Sequence, residues 1–240
     1  MELPATRHSM IAAVRSDDTG VRRGGFELLV AVYWKPVYKY LRVKWHASID
    51  DAQDTTQDFF ARAMEKSYFD AFDPSKGRFR TFLRVLVDRF VANERKAAGR
   101  LKRGGAQVFV PLDFETAEGE LGQHEVAVPA DLDEYFHREW IRTLLTLAVD
   151  DLRAEYARAG KMVQFEVFER YDLEAPAAGD ATTYGAVARA LGVSATDVTN
   201  YLSAARKAFR RLLLERLRAI CGDGSEFEAE ARELLRGGLR

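Results

Sequence analysis

The chain has 240 residues, 47% hydrophobic and 30% charged, with a formal net charge of −1. It is long and apolar enough for one large core or two small ones, and the composition excludes a disordered or fibrous chain. A single cysteine, Cys221, allows no internal disulfide and reads as a small apolar helix residue. The scattered His8, His46, His124 and His137 give no metal-ligand spacing, so neither metal nor cofactor is expected. No stretch approaches the roughly 20 apolar residues of a membrane span, and no apolar run follows Arg7 and His8. The expectation is a cytoplasmic protein.

Helical periodicity dominates the chain, with at most a short strand at Gln107–Leu112. The spacing predicts a helix over Phe26–Trp45, bent or restarted near Pro36, and a second over Ser48–Ser67. A breaker loop at Tyr68–Gly77 contains Asp73-Pro74 and Gly77. A third helix over Phe79–Ala98 aligns Phe79, Leu83, Leu86 and Phe90 on one stripe. It ends in Arg95, Lys96, Arg100, Lys102 and Arg103, a basic run suited to phosphates. From Asp113 to Glu134 there are eight acidic residues and no Lys or Arg, with Gly119, Gly122 and Pro129 among them. This middle reads as a poorly packed acidic linker between two helical domains. The predicted division is 1–103, a linker at 104–137, a second domain at 138–220 and a tail helix at 221–240.

The second domain opens with helices near Glu139–Ala159 and Val163–Tyr171. A helix–turn–helix follows. Thr183 caps Tyr184–Leu191, Gly192 takes the turn, and Ser194 with Asp197 has the spacing of a capping box for the next helix. Val198, Leu202, Ala205 and Phe209 share the inner face of that helix, against Val187, Ala188 and Leu191. Its outer face carries Thr196, Thr199, Asn200, Ser203, Arg206, Lys207 and Arg210. Basic side chains neutralise phosphates, and small amides and hydroxyls reach base edges. No arginine stands at the helix tip, so backbone contacts are expected to outweigh base readout. A solvated basic face on a plain helical hairpin is the bland alternative. A last helix is expected near Glu226–Leu235.

In the first domain, Asp51, Asp54 and Asp58 recur at spacings of three and four and share one helix face, with Ala52, Thr56, Phe59 and Ala63 on another. The run Asp51-Ala52-Gln53-Asp54-Thr55-Thr56-Gln57-Asp58-Phe59-Phe60 resembles the polymerase-binding helix of region 2 in the sigma-70 family of RNA polymerase sigma factors, matching at Asp54, Gln57, Asp58 and Phe60. Thr55 replaces the family's apolar residue. The block Phe72-Asp73-Pro74-Ser75-Lys76-Gly77-Arg78-Phe79-Arg80-Thr81-Phe82-Leu83 is similar to the loop with which small sigma factors capture an unstacked base of the promoter element at about −10. The block from about Glu139 to Leu217 resembles region 4, whose helix–turn–helix reads the element at about −35.

The resemblance is to the extracytoplasmic-function (ECF) type. It implies an all-α protein of two small helical domains and a non-enzymatic transcription initiation factor that directs core RNA polymerase to promoter DNA and helps to melt it. It assigns polymerase contact to Asp51, Asp54, Gln57, Asp58 and Arg62. Contact with the proximal element falls to Phe69, Phe72, Lys76, Arg78, Arg80, Arg84, Arg89, Asn93, Lys96 and Arg100, and contact with the distal element to the outer face of the reading helix. Phe79 and Phe82 are expected in the core, while Phe69 and Phe72 suit either core or base pocket. Arg89 and Asn93 replace the family's usual Asn and Asp, which leaves the base read there open. The acidic linker would thread near the polymerase active-site and RNA-exit channels. An anti-sigma factor is a further candidate partner. So is a kinase, because phosphorylation at Thr55 or Thr56 would place about −1.5 to −2 charges in the docking helix. The alternative is a stand-alone helix–turn–helix regulator whose first domain senses or dimerises.

Overall fold

The computed structural model describes residues 9–97, 112–122, 129–174, 183–221 and 224–237. Every element among them is helical, and none of their helices is long and apolar enough to cross a membrane. The expected strand at 107–112 and the basic residues 100–103 lie outside the described residues, apart from Leu112. The chain divides into two compact units, Met1–Thr143 with Leu217–Arg240, and Leu144–Arg216.

The first unit is built around α2 (Thr19–Lys44), which starts earlier than its apolar pattern suggests because Asp18 caps it, accepting from the Val21 N–H at 2.9 Å. Pro36 lies inside this helix without ending it. Leu29, Val30, Val32, Val37, Tyr38 and Tyr40 are all buried, so α2 is apolar on nearly every side, as a central helix must be. A short helix that the sequence reading missed, α1 (Met10–Val14), lies against it: a Cβ built on Gly25 would stand 2.7 Å from Ala13 Cβ. Helix α3 (Ile49–Glu65) is capped by Ser48, which the sequence reading placed inside the helix, and buries Ala52, Thr56, Phe59, Phe60 and Ala63. Two 3-10 turns, Tyr68–Ala71 and Pro74–Lys76, occupy the breaker loop. Helix α4 (Phe79–Ala97) follows.

The stretch read as an acidic linker departs most from expectation. It contains α5 (Phe114–Gly122), with Phe114 buried between Trp34 and Tyr38 at ring separations of 5.3 and 5.1 Å. Two of its carboxylates are paired with α2: Glu118 accepts from Arg42 Nη2 at 2.6 Å and from the Tyr38 hydroxyl at 2.6 Å. Glu120 accepts from Lys35 at 2.7 Å and from buried Lys39 at 2.5 Å. Lys39 also meets buried Glu139 at 2.6 Å. Glu118 and Glu120 are thus neutralised by α2 rather than by solvent. Helix α6 (Leu132–Arg158) also begins within the supposed linker, with Asp131 accepting from the N–H groups of Asp133 and Glu134.

The second unit takes the rest of α6, then α7 (Met162–Phe168), a π-helical turn (Glu169–Leu173), α8 (Tyr184–Leu191) and α9 (Ala195–Ile220), which returns to the first unit at Leu217. The unit boundaries fall inside α6 and α9 rather than in loops. Leu144, Leu152, Phe165, Phe168, Val187, Val198, Leu202, Ala205, Phe209 and Leu213 form its core. Arg216, itself buried, holds Asp151 with two bonds, one of them Nη2 to Oδ1 at 2.7 Å. The tail helix α10 (Gly224–Gly237) belongs to the first unit, with Leu234 buried. Cys221, read from sequence as a small apolar helix residue, lies just past α9 and is buried.

Candidate functional site

On α3 the alternation of apolar and acidic positions leaves Asp51, Asp54 and Gln57 exposed along one stripe. Asp58 is half-buried, and that desolvation raises its carboxyl above the usual range even though Arg62 pulls it down. Arg62 is held by Glu94 of α4 at 2.6 Å and stands over the Phe90 ring, so it braces α3 on α4 rather than standing clear as a docking cation. Thr56 is fully buried and its hydroxyl donates to the Ala52 carbonyl at 2.7 Å, whereas Thr55 is half-exposed. Of the two threonines, only Thr55 offers a hydroxyl for modification without unfolding the helix.

The loop and α4 form the second site. Phe69 is 1% exposed and Phe72 is also buried, each packed edge-on against Phe79 at 5.8 and 5.1 Å. This corrects Phe69 as a base contact: its ring is core. Phe82, expected in the core, is half-buried and stands on the wall of a groove of about 300 Å³. Phe72, Lys76, Arg78, Leu86 and Arg89 also line that groove, so the structure brings together Phe72, Lys76, Arg78 and Arg89 of the predicted set. Gly77, with φ of 140°, makes the sharp entry to α4 that a side chain would oppose. Asn93 and Lys96 are exposed further along α4, and Arg100 lies outside the described residues.

Arg80 and Arg84 are not open to solvent. Arg84 pairs with Asp133 and donates to Asp88 at 3.1 Å and to the Tyr40 hydroxyl at 3.1 Å. Asp88 also receives Lys44 at 2.7 Å and the Trp45 indole N–H at 3.1 Å, so this carboxylate ties α4 to α2. Arg84 therefore belongs to a structural hub. Arg80 is engaged by α10, as described below. The sequence reading also missed Arg15. Its guanidinium donates to the carbonyl oxygens of Phe69 (2.7 Å), Asp70 (3.0 Å) and Phe72 (2.5 Å) and shapes the first turn of the loop.

In the second unit the helix–turn–helix has the local chemistry its sequence predicts. Thr183 Oγ1 accepts from the Ala186 N–H at 3.2 Å, and Gly192 takes a left-handed φ of 66°. Ser194 and Asp197 form the reciprocal cap: Ser194 N–H donates to Asp197 Oδ2 at 3.1 Å, and Asp197 N–H donates to Ser194 Oγ at 3.0 Å. Those bonds hold the Asp197 carboxyl below its usual range. Thr196, Thr199, Asn200, Ser203, Lys207 and Arg210 are exposed on one side of α9. Arg206, also exposed, is forked onto Asp172 at 2.9 and 2.7 Å and lies over the Tyr171 ring, so its guanidinium is already matched to a carboxylate.

Compared with known proteins, the chain finds no counterpart: no family model matches it, and no curated protein or solved structure aligns with it.

Proposed function

We propose that the protein is a sigma factor of the ECF type, which binds core RNA polymerase and directs it to promoter DNA. The observation that carries this reading is a juxtaposition in one unit. The exposed carboxylate stripe of Asp51 and Asp54 on α3 and the groove formed by Phe72, Lys76, Arg78, Phe82 and Arg89 at the start of α4 are separate surfaces of one helical body. A negative stripe suits a basic protein partner. An aromatic-walled groove with a cationic rim suits an unstacked base and its phosphates. The capped helix–turn–helix of the second unit adds a duplex-reading surface, with Thr199 and Asn200 at base edges and Lys207 and Arg210 on phosphates. Core polymerase supplies the catalysis. An anti-sigma factor or a kinase acting at Thr55 would regulate docking.

The test replaces two exposed carboxylates of the stripe, Asp51→Arg with Asp54→Arg, and measures retention on immobilised core polymerase. The expected outcome is loss of binding by a protein that still melts cooperatively, at a slightly lower temperature because Asp51 accepts from the capping Ser48 hydroxyl. Undiminished retention removes the docking surface, and tight binding to a palindromic duplex without polymerase favours the stand-alone regulator.

A further inference from the structure

Arg78, on the wall of the groove, and Arg80, two residues further on and outside its lining, already have anionic partners, and those come from α10. Arg78 Nη1 meets Glu233 Oε2 at 3.0 Å and Arg78 Nε meets Glu230 Oε1 at 3.3 Å. Arg80 pairs with Glu230 and lies 3.8 Å from Glu233. Glu226 accepts from the Phe79 N–H, in the first turn of α4, at 3.4 Å. The three carboxylates recur at spacings of four and three, so one face of α10 presents a row of negative charge to the arginines.

The contact is built into the unit. Glu230 is 2% exposed and the Arg80 side chain 11% exposed, while Leu234 is buried on the same helix. Glu233 also accepts from His137 Nε2 at 2.8 Å, and Arg80 stacks over the Trp140 ring at 5.2 Å. Partial burial would raise the Glu233 carboxyl, but Arg78, His137 and Arg80 together hold it below its usual range, so it remains an anion. A guanidinium paired in this way cannot serve a phosphate at the same time.

We infer that α10 is an autoinhibitory strap: its carboxylates at 226, 230 and 233 stand in for nucleic-acid phosphates on Arg78, Arg80 and the start of α4, and must leave before a polyanion binds there. This rests on the proposed role of the groove in holding single-stranded DNA. The ligand is a single-stranded nucleic acid, recognised through phosphate on Arg78 and Arg80. Apparent affinity falls with the fraction of molecules whose strap is open, so a strap open in about a tenth of molecules weakens binding about tenfold.

The experiment compares the affinity of a fluorescent single-stranded oligonucleotide for three folded proteins: the full chain, a chain ending at Cys221, and the full-length double variant Glu230→Gln with Glu233→Gln. The last keeps side-chain size while removing charge, and so covers the case in which truncation unfolds the unit. The same series is repeated with Arg78→Ala and Arg80→Ala. The expected result is about tenfold tighter binding on truncation, a smaller gain for the glutamine variant, and disappearance of both gains without the two arginines. Hydrogen exchange in 224–237 should rise when the oligonucleotide is added to the full chain. Equal affinities in the folded proteins, an absence of binding by any of them at low salt, or a gain that survives loss of the arginines would overturn the strap. The oligonucleotide assay needs no polymerase, so retention on polymerase with unchanged oligonucleotide affinity defeats the strap alone, whereas loss of polymerase retention by the wild-type chain defeats the sigma reading alone.

Discussion

Arg15 stands on the surface, yet its planar fork collects carbonyl oxygens at three positions of the turn that precedes the groove. Hydrogen bonds from a charged donor contribute about 1.5–3 kcal/mol, less where water can replace the donor. Arg15→Ala is therefore expected to lower stability by about 1–2 kcal/mol in urea denaturation and to speed amide exchange at 68–72. Arg15→Lys should recover only part, because an ammonium lacks the fork. Nothing in the local sequence marks this residue, since its partners lie 54 to 57 positions away. Phe69 was equally ambiguous: an aromatic beside a breaker loop fits a base pocket or a core, and only its packing on Phe26 and Phe79 decides. By contrast Thr183, Gly192, Ser194 and Asp197 were legible, because capping is decided within four residues.

At the level of helices, α5 shows why local composition misleads. Its acids look unopposed in sequence because Lys35, Lys39 and Arg42 lie 76 to 85 positions upstream. Arg42 holds Glu118 below the usual carboxylate range, and Lys35 and Lys39 do the same for Glu120 against the desolvation that would raise it. Depressed carboxyl values contribute stability that is present above the unfolded value and lost as pH falls through the folded one. Acidification below about pH 4.5, the unfolded glutamate value, should therefore loosen α5 from α2. Fluorescence of Trp34, which packs on Phe114, reports this, and Glu118→Gln should shift the transition to higher pH. An unmoved transition in that variant assigns the acid sensitivity elsewhere.

Across the whole molecule a net charge of −1 conceals segregation: carboxylates face outward on α3, and cations dominate the outer side of α9. If α9 holds duplex phosphates, affinity falls with salt by a slope of about 0.9 per phosphate neutralised. Lys207→Ala and Arg210→Ala should each lower the slope by about that amount in anisotropy titrations of the full chain with duplex promoter DNA. Arg206→Ala should change it less, since Asp172 already occupies that fork. The all-helical class was legible from periodicity, and so were the approximate positions of most helices. The division into units was not, because the chain leaves the first unit at Thr143 and re-enters it at Leu217. That order of travel bears on biosynthesis. The first unit joins segments on either side of the second, so it cannot close until 217–240 has been made. A growing chain that has not yet made 224–237 would present Arg78 and Arg80 without Glu230 and Glu233, the pairing that the proposed strap depends on.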